Sequence, residues 1–133
     1  MIKEFVSYEM ALELKELGFD EPCFTYYYNA TGKLRTNLSI DIDNDLNYID
    51  NKKIGITLAP TFSQAFRWFL KKHKLYALII PTITMHWTYL TMTVVENMIE
   101  VPPYKNVKAY DYSIKEWAEL ECLLKMIELV KNK

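Results

Sequence analysis

Two rows of aromatic residues are the part of this sequence best suited to binding. The run TYYYN has strand character, so Tyr26 and Tyr28 would share one face and the middle tyrosine the other. Met85, Trp87 and Tyr89 alternate in the same way further along the chain. Rings on an uncovered sheet face can stack on the base of a nucleotide or on a partner's side chain. The alternative, that both rows only support a core, stays open.

A second candidate lies where Pro60-Thr61 begins a helix. The N–H groups and partial positive charge of a helix N-terminus can hold a phosphate or a carboxylate, and Thr61 and Ser63 add hydroxyl groups there. Arg67 follows one turn later, within a stretch, residues 51–75, that has six bases and no acid. The other interpretation is that these residues only cap the helix. The predicted ligand-binding residues are therefore Tyr26, Tyr28, Thr61, Ser63, Arg67, Trp87 and Tyr89.

The sequence has no recognisable catalytic or metal-binding motif. The segment Asp41–Asn47 resembles the start of a calcium loop, but Leu46 and Lys52 stand where glycine and glutamate are needed. The two histidines and two cysteines have neither metal-ligand spacing nor a nucleophile–histidine pattern. Three glycines are too few for a glycine-rich phosphate loop. We predict no catalytic residue, no metal, no cofactor and no enzyme activity.

Length and charge narrow the class of protein. A chain of 133 residues, half of them hydrophobic and a quarter charged, fits one globular domain. A net charge of −1 gives no case for binding duplex nucleic acid. The first residues lack the apolar run of a signal peptide, which predicts a cytoplasmic protein. The uncharged stretch Leu75–Val95 contains five threonines and Pro81, which favours buried sheet over a membrane span.

Capping signals and periodicity predict the elements that must position these residues. Helices are predicted at Tyr8–Leu17, from Thr61 to the lysines near residue 74, and from a Ser113 cap to about Lys131, with Trp117, Leu120, Leu124 and Ile127 as the apolar face of the last. Strands are predicted at Cys23–Asn29, Leu34–Ile40, Lys53–Leu58, Tyr76–Ile80, Ile83–Val95 and near Ile99–Val101. This order predicts an α+β fold, an antiparallel sheet built from hairpins with about three helices packed mainly on one side, in a single domain of residues 1–133.

Three segments carry a family resemblance. They begin at Phe5 (FVSYEMALELKELGFDEPCF), at Ala59 (APTFSQAFRWF) and at Trp117 (WAELECLLKMIELV). In these segments the chain resembles a group of small uncharacterised proteins from bacteriophages and prophages of Bacteroidetes-type bacteria. The resemblance implies a phage or mobile-element origin and a location in the cytoplasm of a bacterial host. It supplies no catalytic residues.

Two classes of function remain. The first is a non-enzymatic binder that sequesters a nucleotide-like immune signal of the host, because the chain offers stacking rings and an anion site without catalytic machinery. The alternative is a protein–protein inhibitor or adaptor that acts on a host factor, which an exposed patch of aromatic and methionine side chains would favour. We expect a small molecule or a host protein as partner, neither duplex nucleic acid nor membrane, and a homo-oligomer through strand-edge pairing or the last helix.

Overall fold

The computed structural model describes residues 4–36, 55–95, 98–100 and 112–132. In the first of two compact units, residues 1–61, lie α1 (Tyr8–Glu16), β1 (Thr25–Tyr28), β2 (Leu34–Thr36) and β3 (Ile56–Leu58). The second unit, residues 62–133, contains α2 (Phe62–His73), β4 (Leu75–Pro81), β5 (Trp87–Val95), β6 (Met98–Glu100) and α3 (Lys115–Lys131). These described elements confirm the α+β class, the three helices and the antiparallel pairing. The strands form two sheets, ordered β2-β1-β3 and β4-β5-β6, instead of one. That the chain is a single domain stays a prediction.

The first unit follows the sequence signals closely. Ser7 caps α1, its side-chain oxygen accepting the Met10 amide at 3.3 Å. Gly18, with φ at +92°, follows the end of the helix as predicted. The turn between β1 and β2 also lies where it was expected, with the Tyr28 amide donating to the Lys33 carbonyl at 3.1 Å. The apolar side chains enclosed by these elements include Val6, Met10, Leu14, Phe19, Ile56 and Leu58.

The second unit has a core built from α2, α3 and the β4–β5 hairpin. α2 buries Phe62, Ala65, Trp68 and Phe69, while Phe66 is half-buried. β4 and β5 pair over seven positions, from Leu75 with Thr93 to Pro81 with Trp87. Lys74 joins α2 to β4 with φ at +57°, a left-handed conformation in which glycine is the usual residue.

A tight turn separates β4 from β5, so the strand predicted from Ile83 begins only at Trp87. The Thr82 amide donates to the His86 carbonyl at 2.8 Å, and the Met85 amide to the Thr82 carbonyl at 3.1 Å. The Thr82 hydroxyl also accepts the His86 amide at 3.1 Å. Met85 takes φ +62° in this turn. The prediction that Met85 shares a strand face with Trp87 and Tyr89 is therefore wrong.

The start and the apolar face of α3 both differ from the prediction. The helix begins at Lys115 after Ile114, with no side-chain cap, and Ser113 is not the cap residue. Tyr112, the residue before Ser113, pairs with Trp87 of β5, so the backbone is still extended there and the helix begins later than predicted. The predicted face is partly right, because Ile127 is buried and Leu120 is half-buried, but Trp117 and Leu124 are exposed. The buried stripe is Ala118, Cys122, Leu123, Met126 and Ile127. Small side chains at 118 and 122 suit close packing of α3 against α2, which it contacts.

Some predictions fall on residues outside the described ranges. They are the Asp41–Asn47 segment, the second half of the strand predicted at Leu34–Ile40, and the start of the strand predicted at Lys53–Leu58. Within the part of the chain that is described, no helix is both long and apolar enough to cross a membrane.

Candidate functional site

The outward tyrosines of β1 form the best-defined aromatic surface of the first unit. Tyr26 and Tyr28 share one face, as predicted, with ring centroids 5.4 Å apart and planes at 75°. Arg35 pairs with Tyr26 across the β1–β2 ladder, and its guanidinium carbon lies 5.9 Å from the centroid of the Tyr28 ring. Tyr28 and Arg35 are exposed and Tyr26 is half-buried. We call these three residues the tyrosine surface.

The electrostatics of the tyrosine surface follow from this geometry. A side-chain hydrogen bond with Tyr28 is the largest cause that raises the pKa of Tyr26, burial adds to it, and the Arg35 charge opposes it. The Tyr26 phenol therefore stays protonated at physiological pH, and the Arg35 guanidinium supplies the positive charge. The surface thus offers ring faces for stacking, hydroxyl groups for hydrogen bonds and one cation.

Tyr27 has the opposite role. Its ring is buried and packs on Tyr8 at 5.3 Å between centroids, and its hydroxyl donates to the Val6 carbonyl at 2.6 Å. Burial is the main cause that raises its pKa, with the Glu9 carboxylate as a second. The TYYYN run therefore divides into two outward rings and one core ring, which is the alternation that the strand pattern predicted.

A small apolar cleft adjoins the tyrosine surface across β3. It is lined by Ala11, Lys15, Phe19, Ile56 and Leu58, and the last two pair with Tyr28 and Tyr26 in the ladder. Its enclosed volume is about 10 Å³, the room of a single water molecule. A nucleotide-sized ligand would therefore lie over this cleft and not inside it. Lys15, which is exposed, adds a second cation beside the sheet.

The three residues of the predicted anion site lie at the start of α2 and within its first half. Thr61 is half-buried and forms an antiparallel bridge with Phe5, which ties it to the first unit. Ser63 and Arg67 are exposed and lie four residues apart on α2, hence on one face of that helix in the second unit. The role of Thr61, Ser63 and Arg67 in anion binding stays a prediction.

Trp87 and Tyr89 lie on one face of β5, as predicted, but both are half-buried and have partners. The Trp87 backbone exchanges two hydrogen bonds of 2.8 Å with Tyr112, just before α3. The Tyr89 ring stacks on Tyr112 at 6.2 Å with an interplanar angle of 28°. The Lys115 ammonium lies 5.6 Å from the Trp87 ring centroid. This pair therefore anchors the start of α3 to the sheet.

The turn between β4 and β5 exposes two apolar side chains that the sequence reading had assigned to a strand. Ile83 is 103% exposed and Met85 is 88% exposed. The Thr82 and Thr84 hydroxyl groups lie 2.9 Å apart beside them, and the backbone bonds of the turn hold both in place. We call Ile83 and Met85 the hairpin tip. A charge-free apolar tip of this kind is typical of a contact site for another molecule.

Two groups of candidate residues were missed in the sequence. Arg35 could have been found from the hairpin, because a turn over Ala30–Lys33 places it opposite Tyr26. The hairpin tip could not, because its residues continue the β-branched and apolar pattern of the flanking strands. Among the described residues, no group of three or more His, Cys, Asp or Glu side chains could hold a metal ion.

Comparisons with protein-family models, with curated proteins and with solved structures find no match for this chain.

Proposed function

We propose that the chain is a non-enzymatic binding protein whose tyrosine surface binds a nucleotide-like, anionic ligand. The observation that carries the proposal is the Tyr26–Tyr28 pair, in which Tyr28 is exposed, with the Arg35 guanidinium beside it. In a phage-type accessory protein, such a binder would sequester a nucleotide-like immune signal of the host.

The chemistry of the surface fits the two parts of such a ligand. A base can stack on the Tyr28 ring, which is 43% exposed. Arg35 presents planar N–H donors that match a phosphate, and Lys15 adds charge on the far side of β3. The proposed binding involves no covalent step.

The test is a binding titration with two probes, ATP and cyclic di-adenosine monophosphate, followed by calorimetry at low salt. Loss of one stacked ring costs about 1–3 kcal/mol, so Tyr28→Ala should weaken binding about 5- to 150-fold. Arg35→Gln should weaken it as well and should reduce its dependence on salt. Trp117→Ala and Lys71→Ala are controls, because each removes an exposed aromatic or cationic side chain that lies in the second unit.

The outcomes separate the possible sites. Loss of binding in Tyr28→Ala and Arg35→Gln with retention in both controls supports the proposal. If Arg67→Ala abolishes binding and Arg35→Gln leaves it intact, the anion is bound on α2 and the tyrosine surface is the wrong site. Absence of binding by the folded wild-type protein to either probe would count against the nucleotide class itself.

The hairpin tip favours a second candidate function, a protein–protein inhibitor or adaptor. Ile83 and Met85 expose almost their whole side chains on a turn fixed by backbone and side-chain hydrogen bonds. A rigid apolar tip loses little conformational entropy on docking and can serve as an anchor in a partner's pocket. Met85 also keeps a left-handed conformation that is costly for a residue with a side chain.

A double variant, Ile83→Ser with Met85→Gly, removes the apolar tip and suits the turn. Crosslinking in host lysate should yield a specific adduct with the wild-type protein that this variant loses, while Thr84→Ser retains it. An adduct that survives removal of the tip would show that the partner binds elsewhere.

A further inference from the structure

The outer edge of the second sheet presents a strand with little to prevent pairing. β4 is the first strand in the order β4-β5-β6, and in the described ranges it pairs with β5 alone. It has seven residues, none of them charged, and its middle positions are half-buried. Long apolar edge strands are sites where a sheet accepts another strand.

The backbone groups that face outward follow from the hydrogen bonds of the hairpin. Residues of an antiparallel strand direct their N–H and C=O groups alternately to the two sides. The Thr82 amide points toward β5, because it donates to the His86 carbonyl. Counting back by alternation, residues 76, 78 and 80 bond to β5, and the outward residues are Leu75, Ala77, Ile79 and Pro81.

Two further observations agree with this assignment. Pro81 has no N–H to donate, and in sheets proline is confined to positions where no ladder bond is needed. The residue that pairs with Pro81 is Trp87, whose amide donates to Tyr112 on the side away from β4. Pro81 and Trp87 therefore form a pair without mutual hydrogen bonds, as the alternation requires.

The sequence of β4 fits a second copy of itself. When two identical strands pair antiparallel about a two-fold axis, the residue on the axis lies opposite its own copy, and a charge there would destabilise the pair. β4 carries no charge and escapes this penalty. With the axis at Leu78, Ala77 lies opposite Ile79 of the partner subunit, and Tyr76 opposite Ile80 of the partner subunit, an aromatic and β-branched pair on one face. Each of the three outward amides then finds a carbonyl acceptor.

We propose that the protein forms a two-fold dimer by antiparallel pairing of β4 with β4 of a second copy, which joins the two β4-β5-β6 sheets into one. The interface uses main-chain hydrogen bonds for affinity and the apolar side chains around Leu78 for register. The tyrosine surface lies in the first unit, so its binding and this dimer are tested independently.

The direct test is amide hydrogen exchange measured residue by residue at two protein concentrations, with the mass determined by light scattering. In a dimer, twice the 15.8 kDa chain mass, the amides of Leu75, Ala77 and Ile79 should be protected. On dilution to monomer, these three should exchange at least tenfold faster, while those of Tyr76 and Leu78 stay protected by β5. Fast exchange of the outward amides at every concentration would overturn the proposal, as would protection that persists in the monomer.

Two variants test the same pairing. Ala77→Pro removes an outward amide without touching the β5 ladder, and Leu78→Lys places two like charges directly opposite each other at the two-fold axis; each should convert the dimer to monomer. Thr93→Lys is the control, because it places an exposed lysine on the central strand of the same sheet and should remain dimeric. A dimer that survives both edge variants would refute pairing through β4. Circular dichroism confirms that each variant is folded, and the exchange experiment needs no variant.

Discussion

The buried hydroxyl group of Tyr27 allows a sharp test of how the first unit is held together. Its bond to the Val6 carbonyl is 2.6 Å long, and Tyr27 and Val6 are only 8% and 0% exposed. Tyr27→Phe deletes this oxygen and keeps the ring that packs on Tyr8. The variant loses the hydrogen bond and leaves a buried carbonyl without this donor, so the free energy of unfolding should fall by about 1–3 kcal/mol.

The assay is equilibrium unfolding in urea, with Tyr28→Phe as the matched control one residue away. Tyr28 lies on the outward face, so the same deletion there should change stability by less than about 0.5 kcal/mol. A change in the midpoint without a change in slope would show that the native contact was lost and the unfolded state was not altered. If the two variants lose equal stability, the assignment of Tyr27 to the core and Tyr28 to the surface is wrong.

The pH dependence gives a second check on the same residue. Burial raises the pKa of Tyr27 above its ordinary value of 10.0. A group whose pKa is raised on folding contributes stability that is complete below the unfolded pKa and is lost as pH rises through the folded pKa. The wild-type protein should therefore lose stability above pH 10 more steeply than Tyr27→Phe. Parallel pH profiles of the two proteins would contradict the buried phenol.

Three other residues give predictions that can be checked with single variants or reagents. Lys74→Gly should raise the free energy of unfolding by about 0.5–1 kcal/mol, because glycine adopts the left-handed conformation without strain, whereas Lys72→Gly within α2 should lower it by a similar amount. Cys122 should resist a thiol reagent until the protein unfolds, because burial raises its pKa to about 12 and Glu119 adds to the shift; rapid labelling of the native protein would contradict this. Burial, partly offset by the Lys115 charge, raises the pKa of Glu119. The stability that the protonated carboxyl group contributes is therefore lost as pH rises through the folded-state pKa. Glu119→Gln should have a higher Tm than the wild type at pH 7 and the same Tm near pH 4.

Local signals in the sequence predicted most of the elements but not how they assemble. Ser7, Gly18 and the Ala30–Lys33 turn act within a few residues, and each lies where its chemistry requires. The split into two sheets was missed, because no short-range pattern specifies which strands pair. The apolar face of α3 was misassigned for a related reason: large side chains such as Trp117 were favoured, whereas close packing used Ala118 and Cys122.

The candidate site was predicted in its parts and not in its arrangement. Strand alternation correctly separated Tyr26 and Tyr28 from Tyr27. It could not show that Trp87 and Tyr89 would be occupied by Tyr112 and Lys115, because those partners come from a distant segment whose pairing depends on the tertiary fold.

The short turn between β4 and β5 also bears on the order of folding. Its closure costs little chain entropy, and the seven pairs that follow can form one after another between neighbouring segments. β1, by contrast, must find β3 across a long stretch of chain. We therefore expect this hairpin to form before the first sheet is complete, although it is synthesised later. For variants at Thr82, the ratio of the change in folding activation free energy to the change in stability should be nearer to one than for variants at Thr57. If this order holds, folding begins in a hairpin that is synthesised after all three strands of the first sheet.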